Sequence, residues 1–333
     1  MAAVAEPPAV RTRFGSPEDP DRPESLRAVA ISPDGRLVAL AGEPETPTDS
    51  LAVQIRDSAT GELIRTLGGH EGPVRSLAFS PRGDRLATVT SNADGVGVLR
   101  VFETKTEEPA QVIDAGGRIV RFLPDGRLAI AGFGKVLVFD PATGREVGRH
   151  PAMPVVKDVS RDGGRVLGVS HHGRGELEVR DLGTGKPVAR LSGCAAEPLA
   201  AAFSPDGRTV AAADQRTRAV IVWEVLTGQE VHRLGSEMTV TALAFTADGR
   251  HLLAGGFGDA IRGWEVATGT PTGRLAGHEG AVLALAVGPN ETLLSGATDR
   301  TAVLWSLAAV RGTSLSTGPL AEADFDAAWE ALA

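Results

Sequence analysis

Short apolar runs broken by turn residues dominate the chain, and one stretch sets the pattern for the rest. From Gly277 to Trp305 the sequence reads GHEGAVLALAVGPNETLLSGATDRTAVLW, with apolar runs at Val282 to Val287 and Leu293 to Ser295 parted by a Gly-Pro-Asn turn. Asp299 follows, then a further apolar run ending in Trp305. Runs of this length between turn residues are strands, three or four to such a unit. A unit of this kind cannot bury both its faces alone, so it needs neighbouring copies.

Three registers count those copies. The apolar residue before the first turn recurs as Ile31, Phe79, Phe122, Val159, Phe203, Phe245 and Val287. The turns that follow read SPDG, SPRG, LPDG, SRDG, SPDG, TADG and GPN, and Pro with Asp-Gly presets a hairpin reversal. Trp223, Trp264 and Trp305 keep a second spacing, with Phe102, Phe139 and Arg56 at the matching places earlier. A Thr-Gly turn at Thr60, Thr143, Thr184, Thr227 and Thr268 opens the last strand of most copies. All three agree on seven repeats.

Gly-His, the SPDG turn, an aspartate and a terminal Trp together resemble the WD-repeat family of β-propellers, from about residue 10 to 306. The resemblance implies an all-β fold: a seven-bladed β-propeller whose four-stranded antiparallel blades run a, b, c, d outward from a central axis. It also implies a structural hydrogen-bonded tetrad inside a blade, and only the last repeat carries the full set, His278, Ser295, Asp299 and Trp305. The second repeat keeps His70 but ends in Phe102, the fifth and sixth keep Trp and lose the His, and Glu224, Glu265 or Ser306 stands where the family has Asp after Trp.

The ends of the chain bear on closure. Residues 1–9 are expected to be a disordered tail. Thr12-Arg13-Phe14-Gly15-Ser16 matches the fifth repeat's last strand, His232-Arg233-Leu234-Gly235-Ser236, and nothing after Trp305 does. Residues 10–15 are therefore expected to supply the outer strand of the seventh blade, removing an exposed seam. Residues 42–50 read as an acidic surface loop, and residues 307–333 as a linker and a short amphipathic helix with Phe325, Trp329 and Leu332 on one face.

Family geometry puts the a–b and c–d turns on one face and the b–c and d–a loops on the other, the top. The first set is monotonous here and the second diverse, so contacts with a partner are sought on the top. The residue four before the first register reads Arg27, Arg75, Arg118, Val155, Leu199, Thr241 and Leu283, and by that geometry it faces the central mouth. Clustered guanidinium groups suit a carboxylate or phosphate; the competing reading ties them to acids such as Glu43, Glu45 or Glu71. Phe133, Phe257, Met153 and Met238 join Leu199 as candidate apolar anchors. One residue before the register, alanine gives way to Arg121 and Asp158 in adjacent blades, which predicts an inter-blade ion pair.

Composition narrows the function classes. A net charge of -8 argues against a nucleic-acid partner, and no run approaches a membrane-spanning helix. One cysteine, Cys194, excludes an internal disulfide, and no signal-peptide pattern opens the chain, which together suggest a cytoplasmic, monomeric propeller. His171 and His172 are the sharpest metal candidates, but adjacent residues of an extended chain point opposite ways. No nucleophile elbow or phosphate-cradling motif is present. The reading is a non-catalytic scaffold for a protein or peptide, acidic or phosphorylated, with no catalytic residue, cofactor or metal. The alternatives are an enzymatic or metal-binding propeller, or a regulatory domain detached from a larger protein.

Overall fold

The computed structural model describes residues 9–15, 25–42, 51–91, 97–132, 134–151, 153–170, 175–258 and 260–309. These residues form seven antiparallel four-stranded sheets arranged as a seven-bladed β-propeller. In six blades the strands follow chain order, and the inner strands are Leu26–Ile31, Val74–Phe79, Ile119–Phe122, Val155–Val159, Ala201–Phe203 and Thr239–Phe245. The seventh blade orders Val282–Gly288, Thr292–Ala297 and Ala302–Ser306 outward, and Val10–Phe14 completes it. Its outer register pairs Val10 with Trp305 and Phe14 with Ala302.

Position within the blade explains each strand's sequence. Second strands such as Arg85–Thr90 and Thr292–Ala297 are buried on nearly every residue, because adjacent blades cover both their faces. Outer strands such as Pro109–Ile113 and Glu146–Pro151 alternate towards solvent. The buried apolar residues fall into seven clusters, and each spans one junction between neighbouring blades. At the closing junction Phe14, Leu294 and Leu304 of the last blade pack with Leu26, Val38 and Leu40 of the first.

The repeated turns carry a repeated polar device. Ser32 Oγ donates to Asp34 Oδ1 at 2.6 Å and accepts from the Leu37 amide at 2.9 Å. The same arrangement recurs with Ser160 and Asp162, Ser204 and Asp206, and Thr246 and Asp248, and in the second blade Ser80 bonds instead to Asp84, four residues on. Gly35 closes its turn at φ 76°, whereas Asn290 and Glu291 take left-handed values of 53° and 55° in the last blade, where the glycine is missing. The Ser32 hydroxyl, followed by the Arg36 amide, holds the Asp34 carboxyl below its usual range.

Every outer strand also carries an extra residue opposite the position that Trp305 marks in the last blade, and the first blade's outer strand bulges a second time between Leu67 and His70. The extra residues are Arg11, Ile64, Ala110, Val147, Val188, Val231 and Thr272. A bulge twists an edge and spoils its hydrogen-bonding row, so these bulges protect all seven outer edges from pairing with another sheet.

Candidate partner-binding channel

The inner strands surround the axis, and their first residues decide what the upper opening presents. Five of them bulge there, at Arg27, Arg75, Lys157, Thr241 and Leu283. A bulge re-aims the side chain of its extra residue. These five, with Leu199 of the fifth blade, line a cavity of about 260 Å³ at the head of the axis.

The fourth blade departs from the register read in the sequence. Val155 pairs regularly with Val169, and the extra residue falls two positions later, so Lys157 and not Val155 reaches the cavity. The opening therefore carries three cationic side chains, Arg27, Arg75 and Lys157. None of them is idle: Arg75 Nε donates to the Ser91 carbonyl at 3.3 Å, Arg27 has a partner of its own, and Lys157 Nζ lies 2.9 Å from Glu197 Oε1. Arg118 is exposed just before its inner strand, its amide donating to the Ala131 carbonyl at 2.9 Å, and it is not among the residues lining this cavity.

The apolar anchors divide. Leu199 and Phe257 are 54% and 62% exposed and offer free apolar surface. Met153 and Met238, expected as contacts, are instead 0% and 6% exposed, packed between the third and fourth and the fifth and sixth blades. Their loops turn inward over the blade junctions, where a long flexible side chain fills irregular space. Phe133, His171, His172, the acids Glu43 and Glu45 and the 310–333 segment lie outside the described residues.

Below the opening the channel widens to about 790 Å³. Ala30, Ala78, Ala202, Ala244 and Ala286 form one level of its wall, and Arg121 and Asp158 replace alanine on the third and fourth blades. Arg121 Nη2 donates to Asp158 Oδ1 at 2.8 Å. That oxygen also accepts from the Val159 amide at 2.8 Å, and Asp158 Oδ2 accepts from the Phe203 amide of the fifth blade at 2.9 Å. One carboxylate thus ties three blades together.

The seventh blade contains the hydrogen-bonded set that the resemblance implies. Trp305 Nε1 donates to Ser295 Oγ at 2.7 Å, His278 Nε2 lies 2.6 Å from the same oxygen, and His278 Nδ1 is 2.9 Å from Asp299 Oδ2. Burial pushes the Asp299 carboxyl up, but bonds from His278 and Thr301 outweigh it and hold the group well below the usual carboxylate range. Other blades adapt the motif. His70 reaches Thr88 at 2.9 Å beside Phe102, while Trp223 donates to the Ser192 carbonyl at 2.9 Å. In the first and fourth blades arginines fill the tryptophan's place: Arg56 bonds Gln54 and the Gly61 carbonyl, and Arg180 bonds Glu178.

Cys194 is buried at the junction of the fourth and fifth blades, on the connection between them, and desolvation, followed by the charge of Asp214, pushes its thiol up to about 12. It is an inert packing residue. Among the described residues no group of three or more His, Cys, Asp and Glu is placed to hold a metal ion, and no helix is long and apolar enough to cross a membrane.

Seven circularly arranged blades with a Trp–Ser–His–Asp hydrogen-bond chain define the class as a β-propeller of repeated units. Three stretches, residues 61–96, 228–265 and 269–306, match the family model "WD domain, G-beta repeat". The last two of these run from the outer strand of one blade into the third strand of the next, a repeat out of phase with the blade. The chain is 35% identical over 147 residues to the Periodic tryptophan protein 2 homolog of Neurospora crassa, covering 43% of this chain and 15% of that protein. It is 30% identical to the Mus musculus homolog of the same name over 38% of this chain and 13% of that protein. An uncharacterized WD repeat-containing protein of Schizosaccharomyces pombe is 26% identical over 74% of this chain and 54% of its own length. The aligned region is thus a small part of the first two relatives. The chain belongs to the WD-repeat β-propellers.

Proposed function

We propose that the chain is a non-catalytic scaffold that holds an acidic or phosphorylated protein or peptide over its top face. The observation that carries this reading is the upper opening, where Arg27, Arg75 and Lys157 converge around the apolar Leu199 and Leu283. Guanidinium and ammonium groups at one opening attract carboxylate and phosphate, and nearby exposed apolar side chains such as Phe257 supply burial for an anchor. Arg118 stands outside this opening and contributes at its margin. The bulged outer edges favour a monomer, and a free buried thiol suits the reducing cytoplasm.

The test is recovery of partners by the immobilised chain, with and without Arg27→Glu, Arg75→Glu and Lys157→Glu combined. Loss of a specific partner from the variant, with its melting curve retained, supports the reading. Equal recovery by both proteins would overturn the basic opening as the contact surface.

A further inference from the structure

We infer that the wide part of the channel is a binding site for a small organic anion, a carboxylate carried on an apolar body. This site lies below the top face and does not depend on a partner docking there.

Size comes first. At about 790 Å³ the chamber falls within the roughly 300–1,000 Å³ typical of small-ligand pockets. The space exists because five of seven blades place alanine at one level, where larger side chains would close the axis.

Charge distribution then selects the ligand. The wall on the first, sixth and seventh blades is apolar, with Val29, Leu243 and Leu285 among its residues. The charged lining residues sit on the third and fourth blades: Arg121, Lys157 and Arg161 against the single acid Asp158. Asp158 has already spent both oxygens on Arg121 and two amides, so it has little left to offer a cation. Lys157 is already paired with Glu197, which is not a lining residue. Arg121 keeps a buried Nε with no hydrogen-bond partner, and Arg161, exposed in the turn that follows its inner strand, makes no ion pair among the described residues. Buried polar N–H groups are otherwise nearly always satisfied. A carboxylate drawn to Arg121 and Arg161 would place its charge on this side of the chamber while its apolar body lies against the opposite wall.

The lower end favours a small molecule over a folded partner. Pro33, Pro81, Pro124 and Pro205, each in a rigid turn, frame it, and the upper end narrows to the smaller cavity.

Calorimetric titration of the full chain with sodium decanoate, below its micellar concentration, and with decan-1-ol tests the site. Decanoate is expected to bind at least about tenfold more tightly than the alcohol, and Arg161→Gln to remove most of that difference. Ala244→Phe fills the chamber away from the Arg121–Asp158 pair and is expected to abolish binding while the melting curve persists. Arg27→Glu, at the upper opening, is expected to leave decanoate affinity unchanged. Equal affinity for acid and alcohol, or undiminished decanoate binding by a folded Ala244→Phe variant, would overturn the inference. So would inorganic sulfate binding as tightly as decanoate, since it has no apolar body.

Discussion

Val10 stands opposite Trp305, so the outer strand of the last blade comes from the opposite end of the described chain. Arg13 of that strand donates from Nη2 to the Gly277 carbonyl at 2.9 Å, next to the tetrad histidine. Phe14, 1% exposed, packs into the junction with the first blade. Removing a buried phenyl ring leaves a cavity on both sides of the seam, so Phe14→Ala is expected to cost about 3–5 kcal/mol. Urea denaturation checks it, and a loss below about 1 kcal/mol would mean that the seam contributes little to ring stability.

Ser295 is 0% exposed and receives the Trp305 N–H while contacting His278 Nε2. Ser295→Ala strands both ring nitrogens, and each unsatisfied buried polar group costs about 1–3 kcal/mol, so a loss of about 2–4 kcal/mol is expected. Ser295→Thr keeps the hydroxyl, as the second blade does with Thr88 opposite His70, and is expected to lose less. Thermal melts of the two variants distinguish a hydrogen-bonding role from a packing one.

Acid sensitivity follows from Asp299. Its carboxyl is held below the usual range when folded, so folding favours the ionised form. The resulting stability is complete above the unfolded carboxylate value of about 4 and is lost as pH falls further towards the folded value. Melting temperatures of the wild type and Asp299→Asn should therefore differ by a steady amount above about pH 5 and draw closer as pH falls from about 4 to about 3, the rest of the gap closing only nearer the folded value. A gap that stays constant across that range would show that the charge of Asp299 does not stabilise the fold.

The fold was legible because its period was written in three independent registers, and turn chemistry such as Ser32 with Asp34 depends only on local spacing. The closing strand was legible as well, since residues 12–16 resemble an outer strand elsewhere in the chain. The channel was less so. Counting back from Val159 points to Val155, but the inner strand of the fourth blade takes its bulge at Lys157, and a bulge shifts every later assignment. Met153 and Met238 sit in loops of the right face, yet a sequence position on a loop does not say whether the side chain turns outward. The arginines that replace tryptophan in the first and fourth blades each bond a residue two positions earlier, Gln54 and Glu178, and that pairing is a signal the sequence does contain.

Asp158 and Arg121 separate the role of a carboxylate that joins three blades from that of its partner. Asp158→Ala removes the acceptor for the Val159 and Phe203 amides as well as the counter-charge of Arg121. Its side chain is 12% exposed, so the loss should approach the roughly 3–5 kcal/mol seen when one member of a buried pair is deleted. Arg121 is 36% exposed, and Arg121→Met leaves Asp158 with two amide donors, so solvent screening reduces the expected cost to about 1 kcal/mol. A double-mutant cycle by urea denaturation should give Asp158→Ala the larger loss, with most of it persisting in the Arg121→Met background. The opposite order would make the ion pair, and not the amide bonds to the neighbouring strand, the main tie between these blades.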